Sequence, residues 1–297
     1  MVRVIRGAAV ALLALVLLPA CGGGSGSGSS KTVTVGSANF PENVLLAEMY
    51  AQALEAKDIK VNRKFNIGAR ELIYKQISSG GLSVLPEYNG ALLAYLDKND
   101  SSTSTDQVNA ALKAKLPATL EILDSAKAED KDSLNVTKAT ADKYSLKSIE
   151  DLKPVASSLV LGGPPEFKTR RQGSVGLKDL YGLDFKEFRS LDTAGPVTVA
   201  ALEKGDIQVA NLFTTDPAIA VNNFVVLDDP KNLFSSQNVT PLVYKSAVND
   251  TARSALNAVS AKLDTPTLTQ LMRKVAVDKQ DPEKVATDWL KSAGLVK

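Results

Sequence analysis

The sequence predicts an α/β fold in two lobes, and three observations carry that prediction. Apolar runs with a period of two alternate with stretches of helical apolar spacing, the pattern of mainly parallel sheets covered by helices. One local pattern occurs twice, at residues 77–93 (ISSGGLSVLPEYNGALL) and 202–219 (LEKGDIQVANLFTTDPAI); each runs helix, glycine, apolar strand, polar-aromatic cluster. The length of 297 residues lies where single cores stop growing. Ligands of parallel α/β sheets bind just past the carboxyl ends of strands, so two such strand ends suggest lobes facing across a cleft.

Residues 32–35 (TVTV) alternate as a half-buried strand does, and Gly36 follows. Pro41 suits a first helical turn, and residues 42–57 carry Leu45, Leu46, Met49 and Leu54 at helical spacing. Ile59, Val61, Arg63 and Phe65 alternate again as a strand. A helix over residues 69–79 stops at Gly80-Gly81, a left-handed end that glycine makes easily. Residues 82–85 form a short apolar strand that Pro86 is expected to break, with a helix over 88–96 and a polar loop over 99–105. The second half repeats the rhythm. Strands are expected at 158–161, 185–191, 207–213 and 225–227, and helices at 176–181 and 197–204. Three helix patterns follow from Asp250, the last opening at Asp281-Pro282 and carrying the lone Trp289, read as core packing.

Composition removes much chemistry. The chain is 44% hydrophobic and 23% charged, as ordinary globular proteins are, and has no histidine and one cysteine. That excludes every imidazole-based mechanism, an internal disulfide framework and any CxxC metal or redox site. No cofactor is expected. Arg3 and Arg6 precede an apolar run over residues 7–18, too short to span a bilayer but suited to a secretory signal. Leu18-Pro19-Ala20-Cys21 resembles a bacterial lipoprotein cleavage box, and residues 22–30 (GGGSGSGSS) read as a flexible tether. A signal peptide over 1–20, lipidation at Cys21 and a tether to residue 30 are therefore expected. Removing residues 1–20 takes away Arg3 and Arg6, leaving 33 basic and 33 acidic residues. A neutral chain argues against a nucleic-acid partner and leaves the lipid as the one contact with the extracytoplasmic face of the cell membrane.

Several segments resemble one family, the ProX-like solute-binding proteins of ABC importers for glycine betaine, choline and carnitine. They are residues 35–56 (VGSANFPENVLLAEMYAQALEA), 66–93 with its PEYNG turn, 162–185 (GGPPEFKTRRQGSVGLKDLYGLDF) and 205–216 with NLFTTD. The resemblance covers nearly the whole chain after Lys31, and PEYNG with its spacing to EFKTR and LFTTD is its most specific part. It implies a type II periplasmic-binding-protein fold with two crossover strands as hinge. Lobe I would take residues 31–131 and 238–297, and lobe II residues 132–237. It also implies a monomer that delivers a small solute to a permease with ATPase subunits.

A trimethylammonium group donates no hydrogen bond and is held by aromatic faces, each worth about 0.5–2 kcal/mol. A ligand carboxylate wants arginine or backbone N–H donors. The family's cage resembles four tyrosine walls. Tyr88 matches the first, Asp132 stands in place of the second, Phe213 matches the third and Gln237 the fourth, while Arg170 matches the carboxylate-side arginine. Two readings stay open. Asp132 compensates for a missing wall by pairing with an ammonium, or Asp132, Gln237, Asn89, Thr214 and Arg70 bind hydroxyls of a neutral polyol, sugar or phenolic solute. Asn39 and Phe40, just before a helix, are further candidates for solute contact. A hydrolase built on Glu87, Glu166 or Asp216 would need two carboxylates at a set separation, which nothing in the sequence provides; no enzyme activity is expected.

Overall fold

The computed structural model describes residues 32–297. The expected signal segment, Cys21 and the Gly/Ser tether lie outside the described residues. The first sheet takes β1 (Val33–Gly36), β2 (Val61–Lys64), β3 (Val84–Tyr88), β4 (Leu120–Ile122) and, after the whole of the second sheet, β10 (Val239–Tyr244). The second takes β5 (Asp132–Val136), β6 (Val160–Gly163), β7 (Glu187–Ser190), β8 (Val209–Phe213) and β9 (Val225–Val226). Their orders are β2-β1-β3-β10-β4 and β7-β6-β8-β5-β9. In each, three parallel strands meet a fourth that runs antiparallel: β10 beside β3, and β5 beside β8. β3 and β8 hold the same middle position. The motif that occurs twice in the sequence is thus one structural unit used once per lobe.

The chain passes between the sheets twice, before β5 and before β10, and Glu129 and Asn238 in these two crossover segments pair antiparallel. Helices α1 (Pro41–Glu55), α2 (Arg70–Ser78), α3 (Asn89–Leu96) and α4 (Thr105–Lys115) belong with the first sheet. Helices α5 (Lys138–Tyr144), α6 (Ser174–Tyr181), α7 (Pro196–Glu203) and α8 (Pro217–Val221) belong with the second. The C-terminal helices α9 (Asp250–Lys262), α10 (Thr265–Ala276) and α11 (Pro282–Ser292) return to the first lobe, where all three pack against α1. Leu45, Leu46, Met49 and Leu54 of α1 are fully buried there, each worth about 1.5–3 kcal/mol. Trp289 of α11 lies half-buried on the same core. Gly80 ends α2 at φ +78°, the left-handed stop that its position predicted.

Two local expectations need correction. Pro86 does not break its strand. β3 runs through it because Pro86 stands opposite Pro241 of β10, and the β1 ladder ends earlier, at Val84. No ladder bond therefore needs the missing N–H, and the Pro86 carbonyl accepts from the Asn43 side chain at 3.0 Å. The polar loop expected over residues 99–105 runs into α4, whose start is a capping box formed by Ser104 and Gln107. Gly90, the glycine of PEYNG, is required by close approach: a Cβ there would stand 2.0 Å from the Ser236 carbonyl oxygen of the second crossover.

Candidate functional site

β3 and β8 end at one cavity between the lobes. Tyr88 comes from the end of β3 and Phe213 from the end of β8, the two strand ends the repeat singled out. Phe40, in the extended residue before α1, lies between them. Its ring centroid is 6.1 Å from that of Tyr88 and 5.1 Å from that of Phe213. One aromatic wall therefore takes rings from both lobes.

Behind that wall lies a buried polar knot. The Tyr88 hydroxyl donates to Glu42 Oε1 at 2.8 Å, and the Thr215 hydroxyl, from the other lobe, donates to Glu42 Oε2. Asp130 of the first crossover accepts from the Thr215 amide at 3.0 Å, so Thr215 bridges it to Glu42. Glu42 and Asp130 are each only 2% exposed. Burial, and then the neighbouring Glu42, push the Asp130 carboxyl well above the usual carboxylate range. Burial raises Glu42 as well, against the pull of its hydrogen bonds. Tyr88 is raised in turn by burial and by Glu42.

The opposite side carries a row of alternating charge. Arg70, at the first position of α2, donates Nε to Glu87 Oε1 at 2.8 Å and Nη2 to Glu87 Oε2 at 3.0 Å. Arg170 donates across the cleft to Glu71 at 3.0 and 2.9 Å. Asp132 stands near both guanidiniums and accepts from Asn211 at 2.9 Å. Burial raises the Asp132 carboxyl, while Asn211 and the two arginines oppose it. Burial works against the Glu71 carboxylate, but Arg170 holds its pKa below the ordinary value.

Of the ten residues singled out as solute contacts, the cavity lining brings together Asn39, Phe40, Arg70, Tyr88, Asp132, Arg170, Phe213 and Gln237. Two stand outside it. Asn89 holds the hinge region, accepting from the Gly90 and Asn238 amides at 2.8 and 2.7 Å and donating to Asn109 at 2.9 Å. Thr214 is an exposed residue whose hydroxyl accepts from the Lys131 amide at 2.9 Å. Arg170 is paired with Glu71, and Asp132, directly opposite Phe213 in the β5–β8 ladder, stands near both arginines as well. Sequence reasoning passed over Glu42, Glu71, Asp130 and Thr215. An acid in a first helical turn, as Glu42 is, looks like ordinary dipole compensation, and Asp130 sits in a charged run that reads as a solvated face. Of the carboxylates considered for hydrolysis, Glu87 and Glu166 line the cavity. Glu87 is engaged by Arg70, and Asp216 caps α8, accepting from the Ala218 amide at 2.8 Å.

Two α/β lobes joined by two crossover segments, with aromatic and charged groups of both converging on one cavity, define the solute-binding proteins of membrane importers. Residues 31–292 match the family described as the substrate binding domain of ABC-type glycine betaine transport system, and the chain belongs to that family. Among its relatives is the glycine betaine-binding protein YehZ of Escherichia coli K12, 29% identical over 280 residues, spanning 89% of this chain and 92% of that one. A glycine-betaine-binding protein of Pseudomonas aeruginosa is 26% identical over 283 residues, spanning 90% of this chain and 89% of that one. The crystal structure of a glycine betaine/carnitine/choline ABC transporter protein shares the fold, with a TM-score of 0.68 at 23% identity over 89% of this chain and 99% of the other.

Proposed function

We propose that this chain is the extracytoplasmic receptor of an ABC importer and encloses a quaternary amine such as glycine betaine or choline between its lobes. It changes no bond in the solute and passes it to a permease driven by ATPase subunits. Lobe I would be residues 31–131 and 238–297, and lobe II residues 132–237, turning about the two crossovers. The chain would work as a monomer, tethered by lipid on Cys21.

The observation that carries this reading is the aromatic wall shared by the lobes: Phe40 and Tyr88 from one, Phe213 from the other. A cation lying against that wall contacts both lobes and so stabilises the closed state. The test is a thermal-shift panel of glycine betaine, choline, carnitine, polyols, sugars and phenolics. A bound solute at about 100 times its Kd adds about 2.7 kcal/mol of stability. Shifts with quaternary amines alone support the reading. Shifts with polyols or phenolics alone would replace it with a neutral-solute receptor.

A further inference from the structure

We propose that the cavity selects a quaternary ammonium carrying no carboxylate, and that the Glu42–Asp130 pair behind the aromatic wall holds its counter-charge. The proposal rests on reading the cavity as a quaternary-amine site, and it narrows that class from betaines to choline-like monocations.

A zwitterion needs two opposite partners, and the two arginines that line this cavity are already engaged. Both arginines of the cavity make two-point contacts with carboxylates of the chain, Arg70 with Glu87 and Arg170 with Glu71. Glu87 is 3% and Arg70 13% exposed at the side chain. A ligand carboxylate displacing Glu87 would leave that group buried and unpaired, which is strongly unfavourable. The Arg170–Glu71 pair is more open, but Asp132 stands close to both guanidiniums and repels a second anion. Glu166 also lines the cavity and adds a further acid.

The other side is arranged for a cation. Glu42 accepts hydroxyl hydrogens on both carboxylate oxygens, from Tyr88 and Thr215. Asp130 accepts the Thr215 amide on Oδ1. The charged groups acting on this pair are the two carboxyls themselves and Asp216, all acidic, together with the Tyr88 phenol. Thr215 bridges the two buried carboxyls, which disfavours a negative charge on both at once, and a cation at the aromatic wall favours the ionised form of the pair. Glu42 accepts on both of its oxygens, the arrangement that suits a carboxylate. Tyr88 connects that charge to the cavity: its hydroxyl donates to Glu42 while its ring lines the wall.

The experiment is calorimetric titration of choline, glycine betaine and 3,3-dimethyl-1-butanol, the uncharged carbon analogue of choline, into the wild-type protein and Glu42→Gln. In the wild type, choline should bind at least about tenfold tighter than either of the others. Glu42→Gln should lower the preference for choline over its uncharged analogue by about tenfold. Glycine betaine binding as tightly as choline overturns the proposal and leaves the quaternary-amine reading standing. Equal binding of choline and its uncharged analogue overturns it too. Binding of neither amine removes both. The wild-type comparison decides the matter even where Glu42→Gln fails to fold.

Discussion

Arg170 of the second lobe donates two hydrogen bonds, at 3.0 and 2.9 Å, to Glu71 of the first, beside the solute cavity. The pair ties the lobes together at a half-exposed position, with side chains 27% and 41% accessible. Exposed ion pairs contribute about 0–1 kcal/mol. Arg170→Ala should therefore weaken solute binding no more than about fivefold, chiefly through faster release in stopped-flow measurements. A loss of a hundredfold would mean that Arg170 contacts the solute itself.

Arg70 and Glu87 make the same two-point contact in a buried setting, and the consequence differs. Glu87→Ala leaves the Arg70 guanidinium buried without its partner, which costs about 3–5 kcal/mol. The melting temperature should fall by roughly 10 °C. A shift below about 2 °C would show that water reaches Arg70 and that the pair is not structural.

Tyr88 has two separable parts. Its ring forms the aromatic wall, and its hydroxyl binds Glu42. Tyr88→Ala removes both and should weaken a quaternary amine at least tenfold, while Tyr88→Phe keeps the ring and should weaken it about threefold. Unchanged affinity in Tyr88→Ala would take the residue out of the site.

Burial pushes the Asp216 carboxyl up to about 6, with a smaller contribution from Asp192. The folded chain therefore favours the neutral acid. Its contribution to stability is complete below the ordinary value of 3.8 and is lost as the pH rises to about 6. Asparagine stays neutral and caps a helix as well as aspartate does. The melting temperature of Asp216→Asn minus that of the wild type should thus grow between pH 4 and about 7. A difference that stays flat across that range would show that Asp216 titrates alike in the folded and unfolded chains.

The frame of this protein was readable because its signals are local. The helical spacing of Leu45, Leu46, Met49 and Leu54, the glycine stop at Gly80 and the twice-used strand-end motif all survive in the structure. Tyr88 and Phe213 follow from that motif, since each ends the middle strand of its sheet. What was not readable depends on partners far along the chain. Pro86 fits inside a strand because Pro241 lies opposite it. Glu42 is distinguished from an ordinary helix-start acid only by Thr215, which reaches it from the other lobe. Asp132 took the place of a cage wall in the sequence, but the arginines that surround it come from separate lobes.

Gly90 offers a test of how the PEYNG turn supports the site. A methyl group there would collide with the Ser236 carbonyl. Gly90→Ala should lower the melting temperature by several degrees and weaken solute binding, because the second crossover must move. A variant as stable as the wild type would show that α3 yields at that point without disturbing the crossover.

The most direct measurement is a crystal structure of the protein grown with choline. The account predicts the trimethylammonium group in the cavity between the lobes, within about 6 Å of the ring centroids of Tyr88 and Phe213, with Arg70 and Arg170 still paired to Glu87 and Glu71. Choline bound elsewhere, or held with either arginine released from its carboxylate, would contradict it.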